Sequence, residues 1–218
     1  MKDSFPKRKI FLLDDHPLVR EWLTNLINQQ PDFVVCGEAG SGPETRECIM
    51  KLQPDVAIVD ISLAEGSGIE VIRDIRLLSP RTVIIVLSMH DESLYAERAL
   101  RAGARGYVMK RETTKKIITA IRQVLEGKLY ISEKFASAIT ERLMLGKKNA
   151  ESSLEHLSDR ELEVFRMLGE GMETRQIGES LHISMKTVQV YCARIKEKLG
   201  LGNATELLRE AIRWHESQ

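Results

Sequence analysis

The sequence predicts a doubly wound α/β domain followed by a small all-α domain. Three observations carry this: short β-branched runs alternating with amphipathic stretches, the polar residues that end four of those runs, and a change of pattern after residue 127. Residues 10–13 run into Asp14 and Asp15, residues 56–59 into Asp60, residues 83–87 into Ser88, and residues 107–109 into Lys110. Runs this short and apolar read as strands covered on both faces, as a parallel sheet between helix layers requires. Ligands of an open parallel sheet bind beyond the carboxyl ends of its strands. Three carboxylates, a hydroxyl and an ammonium should therefore converge there.

After the first strand, Leu18, Trp22, Leu23, Leu26 and Ile27 recur at helical spacing, and Pro17 fits a first helical turn. Residues 34–36 form a second short strand, and a weaker helical stretch over 44–52 precedes Pro54 and the strand that ends in Asp60. Ile69, Val71, Ile72, Ile75 and Leu78 give a third helix, ended by Ser79 and Pro80. Leu94, Ala96, Ala99 and Leu100 give a fourth, ended by Gly103, and Ile117, Ile118, Ile121, Val124 and Leu125 a fifth, closed by Gly127. Five βα repeats make one domain over residues 1–127. With strand order 2-1-3-4-5, the first and third strands become neighbours, bringing Asp14 and Asp15 beside Asp60.

Residues 128–152 read as a linker with a helix over 133–145 along Phe135, Ile139 and Leu143, then a polar connector from Gly146. In residues 153–218, Ser158 and Glu161 form a capping box with a Leu157 to Leu162 staple, which opens a helix that stops between Gly169 and Gly171. A short helix over 175–181 follows, with Thr174 as its expected cap. Ser184 then caps a longer helix over 185–199, stopped by Gly200. A short helix, a tight turn and a longer helix make a helix-turn-helix. Asn203 caps a last helix carrying Leu207, Leu208, Ala211, Ile212 and Trp214.

Charge is balanced, 32 Lys and Arg against 32 Asp and Glu, and residues 150–218 hold 9 basic and 12 acidic side chains. Contact with nucleic acid must then come from a local patch. Cys36, Cys48 and Cys192 are odd in number, scattered and without a CxxC spacing, which argues against a disulfide framework or zinc site and for a reducing compartment. With no signal-like or membrane-spanning apolar stretch, a cytoplasmic protein is expected.

Like charges held close cannot all stay ionised uncompensated, so Asp14, Asp15 and Asp60 together call for a cation. Mg2+ suits a few carboxylates and phosphate oxygens. Asp60 stands alone at its strand end and is the natural nucleophile toward a phosphoryl donor, whereas Asp14 and Asp15 are placed to hold metal. Ser88 would hydrogen-bond a phosphoryl oxygen and Lys110 neutralise another. A lone aspartate after a strand often only caps a helix; the whole set in chain order carries the inference. His16 and His90 flank the set and read as loop or helix-start residues outside catalysis, with water access near His90 a means of tuning phosphoryl lifetime.

On the helix over 185–199, Val188, Cys192, Ile195 and Leu199 form an inward stripe, and Lys186, Gln189, Val190, Ala193 and Glu197 face outward. That outer face suits the major groove: Gln189 for adenine edges, Val190 for a thymine methyl, Lys186 or Arg194 for guanine or phosphate. Lys196 and Lys198 lie near the helix end, where phosphates or the helix dipole would engage them. In a domain with no net basic charge, two linked copies bind DNA far better than one, which makes dimerisation the expected regulated step.

These motifs carry a family resemblance. Leu13-Asp14-Asp15-His16-Pro17 with Arg20, Val59-Asp60-Ile61-Ser62-Leu63, Ser88-Met89-His90 and residues 103–110 resemble the flavodoxin-like (βα)5 receiver domain of bacterial two-component response regulators. Residues 157–214 resemble the LuxR-type helix-turn-helix through Leu157-Ser158-Asp159-Arg160-Glu161, Gln176-Ile177, Ile183-Ser184, Lys186-Thr187-Val188 and residues 195–200. The combination is similar to the NarL/FixJ type. It implies that a sensor histidine kinase phosphorylates Asp60, and that Asp14, Asp15, Asp60 and the Ser62 backbone carbonyl bind Mg2+. Ser88, Tyr107 and Lys110 would transmit the change, Tyr107 filling volume that Ser88 vacates. A homodimer would then bind promoter DNA through Lys186, Thr187, Gln189, Val190, Arg194 and Lys196, with no enzymatic activity beyond slow self-phosphorylation and autodephosphorylation. Ala64 stands where the family often has proline, and Gln189 and Ala193 where some relatives have lysines. A haloacid-dehalogenase-like phosphohydrolase would need Asp-x-Asp first and an acidic pair late, the reverse of this order. A Rossmann dehydrogenase would need a glycine-rich turn where Asp14-Asp15-His16-Pro17 stands, and a phosphate-independent adaptor would be indifferent to Asp60→Asn.

Overall fold

The computed structural model describes residues 6–63, 66–89, 92–145, 154 and 156–216. Ala64, His90 and the connector over 146–152 lie outside the described residues, as do the side chains of Leu94 and Leu143. The chain divides into two compact units, Met1–Met144 and Leu145–Gln218.

In the first unit, β1 (Arg8–Leu13), β2 (Phe33–Ala39), β3 (Val56–Asp60), β4 (Val83–Ser88) and β5 (Gly106–Met109) form one parallel sheet in the order β2-β1-β3-β4-β5. Between them run α1 (Pro17–Asn28), α2 (Gly42–Leu52), α3 (Gly68–Leu78) and α4 (Glu92–Ala102), and after β5 come α5 (Thr113–Leu125) and α6 (Glu133–Leu145). The period-two alternation of a strand sorts side chains between the two faces. Ile10, Leu12, Val56, Ile58, Ile85, Leu87 and Val108 join Leu23 and Ile27 of α1 and Ile117, Ala120, Ile121 and Val124 of α5 in one buried cluster. Phe11, Leu13, Ala57, Val59, Ile84 and Val86, equally buried, alternate with them on the opposite face, where α2, α3 and α4 pack in succession. Covering both faces requires continuous apolar strands, which is why these runs lack polar interruptions.

Pro17 occupies the first turn of α1, where its missing N–H costs nothing. β2 extends beyond residues 34–36 because its backbone pairs with all of β1. β5 ends the sheet, and Tyr130 adds a parallel bridge to its free margin.

Among the described residues, the second unit holds α7 (Asp159–Gly169), α8 (Thr174–Ser180), α9 (Met185–Leu199) and α10 (Ala204–Glu216). Leu162, Val164, Phe165, Ile177, Val188, Ile195, Leu207 and Ala211 are buried at its centre, and the Phe165 and Trp214 rings lie 5.7 Å apart. The expected cap at Thr174 shifts by one residue. Glu173 is the N-cap, and its N–H donates to Gln176 Oε1 at 2.8 Å, so Thr174 becomes the first helical residue. Gly178 meets the carbonyl of Ile183 so closely that an added Cβ would lie 2.8 Å from it, which fixes the tight turn between α8 and α9. In the same turn His182 holds a left-handed φ of 54°.

Candidate functional site

The register places the strand-end residues side by side. Leu13 pairs with Val59, Asp60 with Leu87 and Ser88 with Met109, so Asp14, Asp60, Ser88 and Lys110 occupy adjoining strand ends. Asp14, Asp60 and Ser88 are buried. Ligand atoms of Asp14, Asp15, His16 and Asp60 lie within 4.8 Å of one another.

The two buried carboxylates are held in the same way. Asp14 Oδ1 accepts the N–H of His16 at 2.9 Å, and Asp60 Oδ1 accepts the N–H of Ser62 at 2.9 Å. Each is an aspartate bonding the backbone two residues on, a local turn that short acidic side chains favour. The second oxygens face one cation: Lys110 Nζ lies 2.7 Å from Asp14 Oδ2 and 2.6 Å from Asp60 Oδ2. Burial pushes the Asp60 carboxyl above its ordinary value and the Asp14 charge adds to this, against the lowering effect of Lys110. For Lys110, burial favours the neutral amine, but Asp60 and Asp14 outweigh it and raise its pKa.

Asp15 completes the cluster from a less buried position, with His16 Nδ1 2.7 Å from its Oδ1. His16 is the N-cap residue of α1, the helix-start position expected of it. Arg20, the arginine that accompanies the Asp14-Asp15 motif, ties two strands together. Its Nη1 donates to the Asp14 carbonyl at 2.5 Å and its Nε lies 3.4 Å from Glu38 Oε2, tying the end of β1 to β2. Gly68 explains how α3 approaches the site: a Cβ there would lie 2.3 Å from the Asp60 carbonyl oxygen and 2.4 Å from Ile61 Cα. The contact that demands this glycine joins two elements and leaves no mark on the local sequence.

Ser88 is fully enclosed at the end of β4, and Tyr107, in register with Val86, is buried on β5. The donor set fits a hard divalent cation: three carboxylates meet, two of them buried, with the Lys110 ammonium between the two buried ones. Asp14 and Asp15, with Asp60, are the residues that would hold it.

In α9, Ser184 Oγ accepts the Thr187 N–H at 3.1 Å and so caps the helix. Lys186, Gln189, Val190 and Arg194 are exposed, whereas Thr187 and Lys196 are half-buried. The Lys198 ammonium does not stand free at the helix end: it lies 2.6 Å from Glu161 Oε2, which also accepts the Ser158 N–H at 2.7 Å. Glu161 thus closes the capping box of α7 and holds α9 at once. Burial opposes its charge, but these hydrogen bonds prevail and hold its carboxyl below the ordinary 4.5.

Two family descriptions match the chain: "Response regulator receiver domain" over residues 10–122 and "Bacterial regulatory proteins, luxR family" over residues 155–211. Oxygen regulatory protein NreC of Staphylococcus aureus is 32% identical over 94% of this chain and 97% of its own. Transcriptional regulatory protein DegU of Brevibacillus brevis is 31% identical over 95% and 94%. RcsB of Salmonella enterica serovar Typhimurium, solved on a promoter with the phosphomimetic BeF3−, is 28% identical with a TM-score of 0.58, covering 93% of this chain and 97% of that one. The chain belongs to the bacterial two-component response regulators, of the NarL/FixJ type, which join a receiver domain to a LuxR-type DNA-binding domain. It is a DNA-binding transcriptional regulator of that family. Among the described residues, no helix is long and apolar enough to cross a membrane.

Proposed function

We propose that Asp60 is the phosphoacceptor of this regulator and that its modification controls dimerisation and promoter binding by the second unit. The observation that carries this is the shared ion pair, in which Asp14 and Asp60 oxygens both face Lys110 Nζ with Asp15 in the same cluster. An Asp60 oxygen forms a bond to phosphorus as the P–N bond of a sensor kinase's phosphohistidine breaks; the imidazole leaves with the electron pair and takes a proton from water. Mg2+ bound by Asp14, Asp15, Asp60 and the Ser62 carbonyl would supply positive charge to the phosphoryl oxygens. Lys110, already on Asp60, neutralises one of those oxygens, and the Ser88 hydroxyl donates to another. The acyl phosphate brings roughly −1.5 to −2 charges and new acceptor oxygens, which draw Ser88 inward and let Tyr107 repack.

The exposed Lys186, Gln189, Val190 and Arg194, with Thr187 and Lys196 beside them, then meet the major groove and its phosphates, in a homodimer acting in the cytoplasm. Working boundaries for dissection are 1–127 for the receiver, 128–152 for the linker and 153–218 for the DNA-binding domain. Slow self-phosphorylation from small donors and autodephosphorylation complete the cycle. Incubating wild type and Asp60→Asn with Mg2+ and a small phosphodonor, and following mass with oligomeric state, tests the reading. Wild type should gain one phosphoryl mass and associate; an unchanged mass, or an equal gain by Asp60→Asn, would refute it.

A further inference from the structure

Resting on the phosphoryl switch just proposed, we infer that Glu92 is a positioning residue that hands the state of Asp60 to helix α6 through its hydrogen bond to Ser132, with Tyr130 on the edge of β5 as the second anchor.

Glu92 is the first residue of α4, only four positions beyond Ser88, and its side chain is buried. Its Oε1 accepts the N–H of Ser132 at 2.9 Å, a bond spanning 40 residues of sequence. Ser132 in turn forms the start of α6. Its carbonyl accepts the Ala136 N–H at 2.9 Å and its hydroxyl the Phe135 N–H at 3.1 Å, and Phe135 is buried. A buried carboxylate at the head of α4 therefore grips the first turn of the helix that leads out of the unit.

The second anchor is main chain. The Tyr107 N–H donates to the Tyr130 carbonyl at 2.8 Å, and the Tyr130 N–H to the Arg105 carbonyl at 2.9 Å. Residues 130–132 are thus fastened to two elements near Ser88: the head of α4 through Glu92, and β5 through the backbone of Tyr107. A groove of about 540 Å³, bordered by Glu92, Tyr107, Lys116, Tyr130 and Ser132, runs along this junction. Open space there lets the two anchors shift without overpacking a filled core. Any displacement of α4 or β5 on phosphorylation must move α6 or break one of these bonds.

A carboxylate that merely capped α6 would affect stability alone, so the test separates stability from coupling. In the full-length protein, with a small phosphodonor and Mg2+, hydrogen exchange of peptides covering 105–109 and 128–136 is measured beside the Asp60 adduct mass and the affinity for promoter DNA. Phosphorylation of wild type should change exchange at the Ser132 and Tyr107 amides. Glu92→Ala should reach the wild-type adduct level yet lose about fivefold or more of the gain in DNA affinity, a coupling of ordinary allosteric size. Glu92→Gln keeps an acceptor oxygen and should retain most of that gain. Unaltered exchange over 128–136, or a full gain in Glu92→Ala, would overturn the assignment. A wild type that takes up no phosphoryl group would show itself first in the mass and sink the underlying switch instead.

Discussion

At the scale of single residues, the site depends on a cation shared by two enclosed acids. Lys110 balances Asp14 and Asp60 with little access to water, and removing one partner of such a group leaves uncompensated buried charge, at a cost of about 3–5 kcal/mol. Lys110→Met should therefore lower the urea-unfolding free energy by roughly 3 kcal/mol in the presence of a chelator. Added Mg2+ should recover part of that loss, because it neutralises the same carboxylates. Equal stability of the two proteins in chelator would contradict this account. The acids and the lysine were legible in the sequence because each ends an apolar run whose length defines a strand. The N–H groups of His16 and Ser62 that fix the carboxylates were not, since they depend on turn dihedrals that the residue order does not specify.

At the scale of elements, close approaches and caps decide how precise the machinery is. Gly68 brings α3 against the backbone of Asp60. Gly68→Ala should cost about 1–3 kcal/mol through overpacking, and it should slow phosphoryl uptake by displacing Asp60, which a rate measurement with a small phosphodonor would detect. Glu161 joins α7 to α9 with a depressed carboxyl pKa. A carboxylate whose folded value lies below its unfolded value stabilises the fold above the unfolded value and loses that contribution as pH falls through the folded one. Acid unfolding of the second unit should begin below about pH 4.5, and Glu161→Gln should flatten that dependence while lowering stability at neutral pH by about 1–2 kcal/mol. The Ser158 to Glu161 box was readable from its spacing, whereas the Lys198 contact was not, because it links residues 37 apart. Thr174 is not the cap, although threonine is a good cap in isolation, because Gln176 reaches back to Glu173 and sets the boundary one residue earlier.

At the scale of the whole molecule, the charge is balanced, 32 Lys and Arg against 32 Asp and Glu, so the proposed contact with DNA rests on a local patch. The second unit carries exposed Lys186, Gln189, Val190 and Arg194 on one helix. Base contacts confer preference and phosphate contacts confer strength. Gln189→Ala should relax preference at one base position by about 1–3 kcal/mol while leaving binding to unrelated DNA nearly unchanged. Lys186→Ala should weaken unrelated sites as well; competition with single-base operator variants measures both. The two-unit architecture was readable because the periodicity of apolar residues changes from alternating strand and helix to helix alone. The run over 128–144 was less so: residues 130–135 fasten to the first unit through backbone and carboxylate bonds that leave no mark on composition.

The turn between α8 and α9 leaves one further lesson. His182 carries a side chain in a backbone region where residues with a Cβ are disfavoured, a cost of about 1 kcal/mol or more that glycine would escape. The turn joining α8 to α9 therefore stores a small strain, and His182→Gly would release it against the larger unfolded-state freedom of glycine, a balance that the melting temperature of the second unit reads directly.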